Sequence, residues 1–258
     1  MKITWFGTVS ILLETEKSRI LFDPFVPMRG SKVQTTLSDY AGVDRIVATH
    51  GHFDHVRNIP ALARQNPGLR VYCSETPCRS LQKAGTAAQV LVKIAPGDTV
   101  RIGDVSIDVY QGKHAALEGL NLSALLLPRV YRYCYCIPRL LLELLRYPEK
   151  KETLFFDVCT ENKHIFHLGS MNLADEVDYP SGCDLLILPY AGYRDNLAKA
   201  DQMMNCLRPD PGHQAGIPDS LFHIREKTEE NRIGPERRKN GRPGGQSPGH
   251  CPGGRAAA

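Results

Sequence analysis

No run in this chain of 258 residues reaches the ~20 apolar residues that a membrane-spanning helix needs. The two most apolar stretches, 120–127 and 140–145, are broken up by prolines, arginines and Glu143. No transmembrane segment and no membrane partner are therefore expected. The opening MKITWFGTVSILLETEK lacks the basic start and the small-residue cleavage site of a secretory leader, so a cytoplasmic location is expected. The eight cysteines form no paired C-x-x-C framework, and a chain this long does not need stapling, so they read mostly as reduced thiols. A broad basic face is missing too. The net charge is +4, but residues 231–258 hold six Lys/Arg against Glu236, so residues 1–230 sum to −1. A near-neutral body argues against nucleic acid as a partner.

What is present is enough for one domain with a substantial core. Segments 2–6, 10–15 and 19–22 are β-branched or aromatic runs separated by Gly7 and a Glu16-Lys17-Ser18 turn, which predicts an antiparallel meander. Strands are expected at 45–49, 70–73 and 90–94, with helices at 58–65 and 77–83 between them. Turns at Pro96-Gly97-Asp98 and Gly103-Asp104 bound two further strands, 99–102 and 105–110. Residues 117–151 break the rhythm, being apolar, aromatic and cationic at once, and read as an insertion with a helix at 138–146. Strands at 154–158, 165–168 and 184–188 and a last helix at 195–207 complete the pattern, which predicts an α/β fold of two packed sheets with helices outside. Residues 1–209 form the expected domain, and 210–258 a tail expected to be largely disordered. From Ile233 on, 26 residues hold seven Gly and four Pro and almost nothing to bury.

Histidine is scarce, nine in all, yet THGHFDHV at 49–56 holds three with an aspartate among them. Metal ions such as zinc are held by imidazole nitrogen and carboxylate oxygen converging within a few ångströms. His50, His52, Asp54 and His55, on a loop after a buried strand, supply four such groups. The pattern resembles the His-x-His-x-Asp-His signature of the metallo-β-lactamase superfamily, and looks closest to small hydrolases of its ascorbate-phosphate-lactonase-like branch. The resemblance covers about residues 1–209, including Asp23-Pro24 at the end of the meander. It implies a four-layer αββα sandwich with the site at the rim of the sheets. It also implies a first metal on His50, His52 and His114, and a second on Asp54 and His55. With one metal, Asp54 would instead orient the attacking water and accept its proton.

Two departures from that pattern stand out. Where the family carries a bridging aspartate after a glycine, this chain reads HIFHLGSMN, with Ser170 in its place. A hydroxyl cannot replace an ionised carboxylate between two cations. The strand that should precede the family's last histidine is also absent, leaving His213 and His223 as weak candidates. Either a divergent tail or a changed reading frame near Asp210 accounts for that end. One tightly bound ion is therefore expected, Zn2+ or else Mn2+. The expected function is hydrolysis of an ester, lactone or phosphoester bond in a small substrate. A cationic insertion bearing Tyr131, Tyr133, Tyr135 and Arg139 would suit an anionic one, as lid or pocket wall. The same insertion could instead be a homo-oligomer contact. The competing reading is an impaired member that serves as a metal-binding protein or scaffold.

Overall fold

The computed structural model describes residues 1–27, 34–114, 137–148, 150, 152–170 and 173–188. Its first sheet has six strands in sequential order: β1 (Lys2–Gly7), β2 (Ser10–Glu14), β3 (Arg19–Phe22), β4 (Arg45–Val47), β5 (Arg70–Cys73) and β6 (Leu91–Lys93). The first three form the expected antiparallel meander, and the rest run parallel to β3. Parallel neighbours need crossovers, and these carry α1 (Phe53–Val56), α2 (Ile59–Gln65) and α3 (Glu75–Lys83). The second sheet is ordered β11-β10-β9-β8-β7. Its strands are β7 (Thr99–Ile102), β8 (Val105–Gln111), β9 (Leu154–Thr160), β10 (Lys163–Leu168) and β11 (Leu185–Ile187). All its pairs are antiparallel except β10 with β11. At the tip of β9–β10, Glu161 and Asn162 both take positive φ, 50° and 58°, the two-residue turn whose twist suits a hairpin.

Side-chain alternation decides which surfaces meet. Along β9, Leu154, Phe156 and Val158 enter a core between the sheets with Ile11, Ile20, Phe22, Val47, Ile107 and Val109. Phe155 points the other way and joins Phe166, Leu168 and Leu173 on the outer side of the second sheet. The outer face of the first sheet, with Leu12, Leu21, Ile46 and Val71, is covered by Val56, Ile59, Leu62 and Leu81 from α1, α2 and α3. Each such side chain fully buried contributes ~1.5–3 kcal/mol relative to exposure, so the sandwich is held chiefly by these two interfaces. These are three layers of the expected four-layer αββα arrangement. The helix expected at 195–207 lies outside the described residues, as do the tail from 210, His213, His223 and most of the insertion.

The described part of the insertion is α4 (Ile137–Arg146), which lies against α1. Tyr147 anchors it in the helix-side core. Leu141, Leu142, Leu144 and Leu145 instead face outward, from 42 % exposed at Leu144 to 81 % at Leu145. Two local expectations are corrected. Residues 53–56 are a helical turn rather than a loop, and α3 begins at Glu75, before Pro77, with Ser74 in extended backbone at its N-cap. The four-residue α1 is too short for a periodic pattern to announce it.

Candidate metal centre

The centre begins where β3 and β4 end side by side. Asp23 continues the parallel ladder with its amide to the Val47 carbonyl at 3.1 Å, and its backbone turns into the left-handed region at φ 46°. Aspartate tolerates that conformation better than most residues. The turn aims a fully buried carboxylate inward, 0 % exposed. There it accepts the Thr49 amide and the Thr49 hydroxyl, both at 2.8 Å, and meets His55 Nδ1 at 3.2 Å and His167 Nε2 at 3.4 Å. Burial alone would raise this carboxyl's pKa, but the two imidazoles outweigh burial and hold it far below the usual range.

Thr49 spends its hydroxyl proton on Asp23, so its lone pairs face the Nδ1 atoms of His50 at 3.2 Å and His55 at 3.1 Å. A proton on His50 Nδ1 leaves Nε2 with a free electron pair, the tautomer a metal ligand needs. Burial, seconded by the neighbouring His55, holds the His50 pKa well below that of an ordinary histidine, so the ring is neutral near pH 7.

His52 is the N-cap of α1, and its carbonyl accepts the His55 and Val56 amides at 3.0 and 3.2 Å. That turn points its Nδ1 at His50 Nε2, 3.1 Å away. His114 arrives from the other sheet, three residues past β8, and sets its Nε2 3.1 Å from the same His52 Nδ1. Among the described residues, His50, His52 and His114 form a cluster whose ligand atoms all lie within 4.8 Å of one another. Nitrogens bound tetrahedrally at ~2.0–2.1 Å from zinc stand ~3.3 Å apart, so the observed spacing fits one such ion.

Asp54 and His55 are outside that cluster. Asp54 Oδ2 lies 3.9 Å from His55 Nε2, and the His55 ring centroid is 3.8 Å from that of His50. Burial would depress the His55 pKa, but the carboxylates of Asp23 and Asp54 prevail and raise it. Asp23 and Asp54 thus favour a proton on His55, with which a second ion binding there would compete.

One backbone contact joins the two sheets at this rim, and two more extend the second sheet beside it. The Thr49 carbonyl accepts the Leu154 amide at 2.8 Å, the Leu154 carbonyl the Gly169 amide at 3.3 Å, and the Thr153 carbonyl the Gly112 amide at 2.8 Å. A Cβ on Gly169 would run into the Thr49 Cβ and come within 2.8 Å of the Leu154 carbonyl oxygen. Only glycine lets β10 end this close to the histidine turn. Ser170 follows at once and is buried. On the opposite side, a Cβ on Gly51 would stand 3.0 Å from the Pro148 carbonyl and 3.6 Å from the Pro77 ring, so the chain after α4 and the first turn of α3 both buttress the loop. The C-terminal end of the insertion thus packs behind the histidine loop. Sequence reasoning noted Asp23 as part of a resemblance without giving it a role, and did not weigh Thr49 or His167. The Asp-Pro closing a buried strand was the available signal.

Residues 18–215 match the family described as the beta-lactamase superfamily domain. A UPF0173 metal-dependent hydrolase of Rhizobium johnstonii is 44% identical over 126 residues, 46% of this chain and 50% of that protein. A second, from Koribacter versatilis, is 30% identical over 116 residues, 45% of this chain and 48% of that one. The chain spans about half the length of these curated relatives. Among solved structures, the metallo hydrolase Igni18 of Ignicoccus hospitalis is similar at TM-score 0.46 and 16% identity, over 81% of this chain and 86% of that one.

Proposed function

Because the chain belongs to the metallo-β-lactamase superfamily, with most of its length matched, we propose that it is a metal-dependent hydrolase working with one ion on His50, His52 and His114. The observation that carries this is the triangle of three imidazole nitrogens at metal-ligand spacing, one of them held neutral by burial. An ion there supplies Lewis acidity, polarising the substrate's carbonyl or phosphoryl oxygen and lowering the pKa of water. Zinc suits three imidazoles best, and manganese is the second choice.

The protein's own groups do the rest. Thr49 and Asp23 fix the His50 tautomer and the loop bearing it. Asp54, partly exposed beside the cluster, is the proton acceptor for the attacking water. His55, tied to Asp23 by its Nδ1, sets its Nε2 3.9 Å from the Asp54 carboxylate. In sequence, Ser170 takes the place of the bridging carboxylate that the family pattern implies for a second ion, and a hydroxyl offers no charge to offset the repulsion of two cations. The bond cleaved is an ester, lactone or phosphoester of a small molecule.

Elemental analysis of the purified protein should find about one zinc-group ion per chain. His50→Ala and His114→Ala should each lower occupancy at least tenfold, and Asp54→Asn should leave the ion in place while removing turnover. Ser170→Asp should raise occupancy toward two. Full metal retention in the double variant His50→Ala, His52→Ala would overturn the ligand assignment. A stoichiometric ion with no turnover across lactone, thioester and phosphodiester substrates would favour a metal-binding scaffold.

A further inference from the structure

Behind the histidine loop, β5 and α3 bring two thiols together. Cys73 closes β5, Cys78 lies early in α3, and their Sγ atoms are 3.2 Å apart. Both are free and buried. A disulfide needs ~2.05 Å between sulfurs, so joining them brings the two sulfurs about 1 Å closer. Cys78 Sγ also lies 3.6 Å from the Cys73 carbonyl, which itself accepts the Ile94 amide at 3.0 Å. The contact between the thiols lowers the pKa of Cys78 and, seconded by burial, raises that of Cys73 well above its usual value. Cys78 is therefore the sulfur that ionises first and attacks.

The turn between them is held on both sides. Glu152 accepts the Thr76 amide and hydroxyl at 2.7 and 2.6 Å, and its carbonyl accepts the Ser74 hydroxyl at 3.3 Å. Pro77, next to Cys78, has its ring facing Gly51, between His50 and His52, where a Cβ on that glycine would lie 3.6 Å from it. A contraction that moves the first turn of α3 therefore reaches the histidine loop through one contact.

We infer that Cys73 and Cys78 form an oxidation site, a dithiol that hydrogen peroxide converts to an intrachain disulfide, and that its closure loosens the loop carrying His50 and His52. The Cys78 thiolate attacks one peroxide oxygen, giving a sulfenic acid and releasing hydroxide. The Cys73 sulfur then attacks Cys78 Sγ and displaces the sulfenic oxygen as water. In sum two thiols lose two electrons and two protons, and one peroxide becomes two waters. That the loosened loop is a metal site rests on the function proposed above.

The test treats the intact, metal-loaded protein with graded peroxide, then unfolds and alkylates it. Trypsin releases residues 71–79 as one peptide, VYCSETPCR, containing both cysteines and no others. The expected result is a peptide lighter by two hydrogen atoms, unalkylated, and restored by dithiothreitol. In Cys73→Ser, which removes the second sulfur, a sulfenic acid should persist on Cys78 and be trapped by dimedone. A peptide still fully alkylated at doses that have turned the chain's methionines to sulfoxides would overturn the site. Hydrogen exchange of residues 49–56 should quicken at least threefold in the oxidised form. Because exchange reads the loop whether or not it holds an ion, failure here and failure of the metal reading are distinguishable. A disulfide with unchanged exchange would overturn the coupling.

Discussion

Asp23 is the residue on which the others depend, since its one carboxylate orders Thr49, His55 and His167. Asp23→Asn keeps the shape but removes the charge facing His55, and breaking a buried pair from one side costs about 3–5 kcal/mol. The expected outcome is a melting temperature lower by roughly 10 °C or more, checked by calorimetry, with weaker metal retention. The same group gives the metal-free protein a distinctive pH response. Asp23, with its pKa depressed, contributes stability that is present above ~3.9 and lost as pH falls below it. The depressed pKa of His50 likewise lowers stability as pH drops below ~6.5. The raised pKa of His55 acts in the opposite sense: its contribution is complete below ~6.5 and is lost as pH climbs through the raised value. Thermal melts of the metal-free protein above pH 6.5 should therefore fall with rising pH, and those of His55→Gln should not. The signature histidines were legible because four candidate ligands sit within six residues. Asp23 was not, because its partners come from separate segments and meet only in the folded chain.

At the level of elements, strands were read well because alternation over four to seven residues is enough to orient a pleat, as β7 and β8 show. The crossing of β10 over the histidine turn was not legible. It depends on Gly169 having no side chain where Thr49 and the Leu154 carbonyl already stand. Gly169→Ala should overpack that crossing by about 1–3 kcal/mol, lowering the melting temperature by several degrees. It should also cut metal affinity more than its stability cost alone implies, because Thr49 precedes His50. Titration of the variant with zinc checks this, and unchanged affinity would show that the crossing and the ligands are mechanically separate. The helix α4 was expected from composition. Its outward leucines were not, because a run such as LLLELL is apolar on nearly every face and does not say which one is covered.

For the molecule as a whole, two sheets with helices outside followed from the order of strands and helices, but the parallel pairing of β10 with β11 did not. Pairing partners are long-range choices that no local pattern encodes. The backbone bridge from the Leu154 amide to the Thr49 carbonyl, which joins the two sheets, carries a kinetic consequence. The first sheet pairs mostly neighbours in sequence, and β7 with β8 is a hairpin, so these can form early. His114 cannot approach His50 and His52 until the sheets have docked, so the ligand triangle is expected to close late in folding. An ion at a hundred times its dissociation constant stabilises the native state by ~2.7 kcal/mol, and nearly all of that should appear as slower unfolding. Stopped-flow measurements should find the unfolding rate reduced about a hundredfold and the refolding rate almost unchanged. The ion would then act as a latch on a finished fold, setting how long the native state lasts more than how fast it is reached.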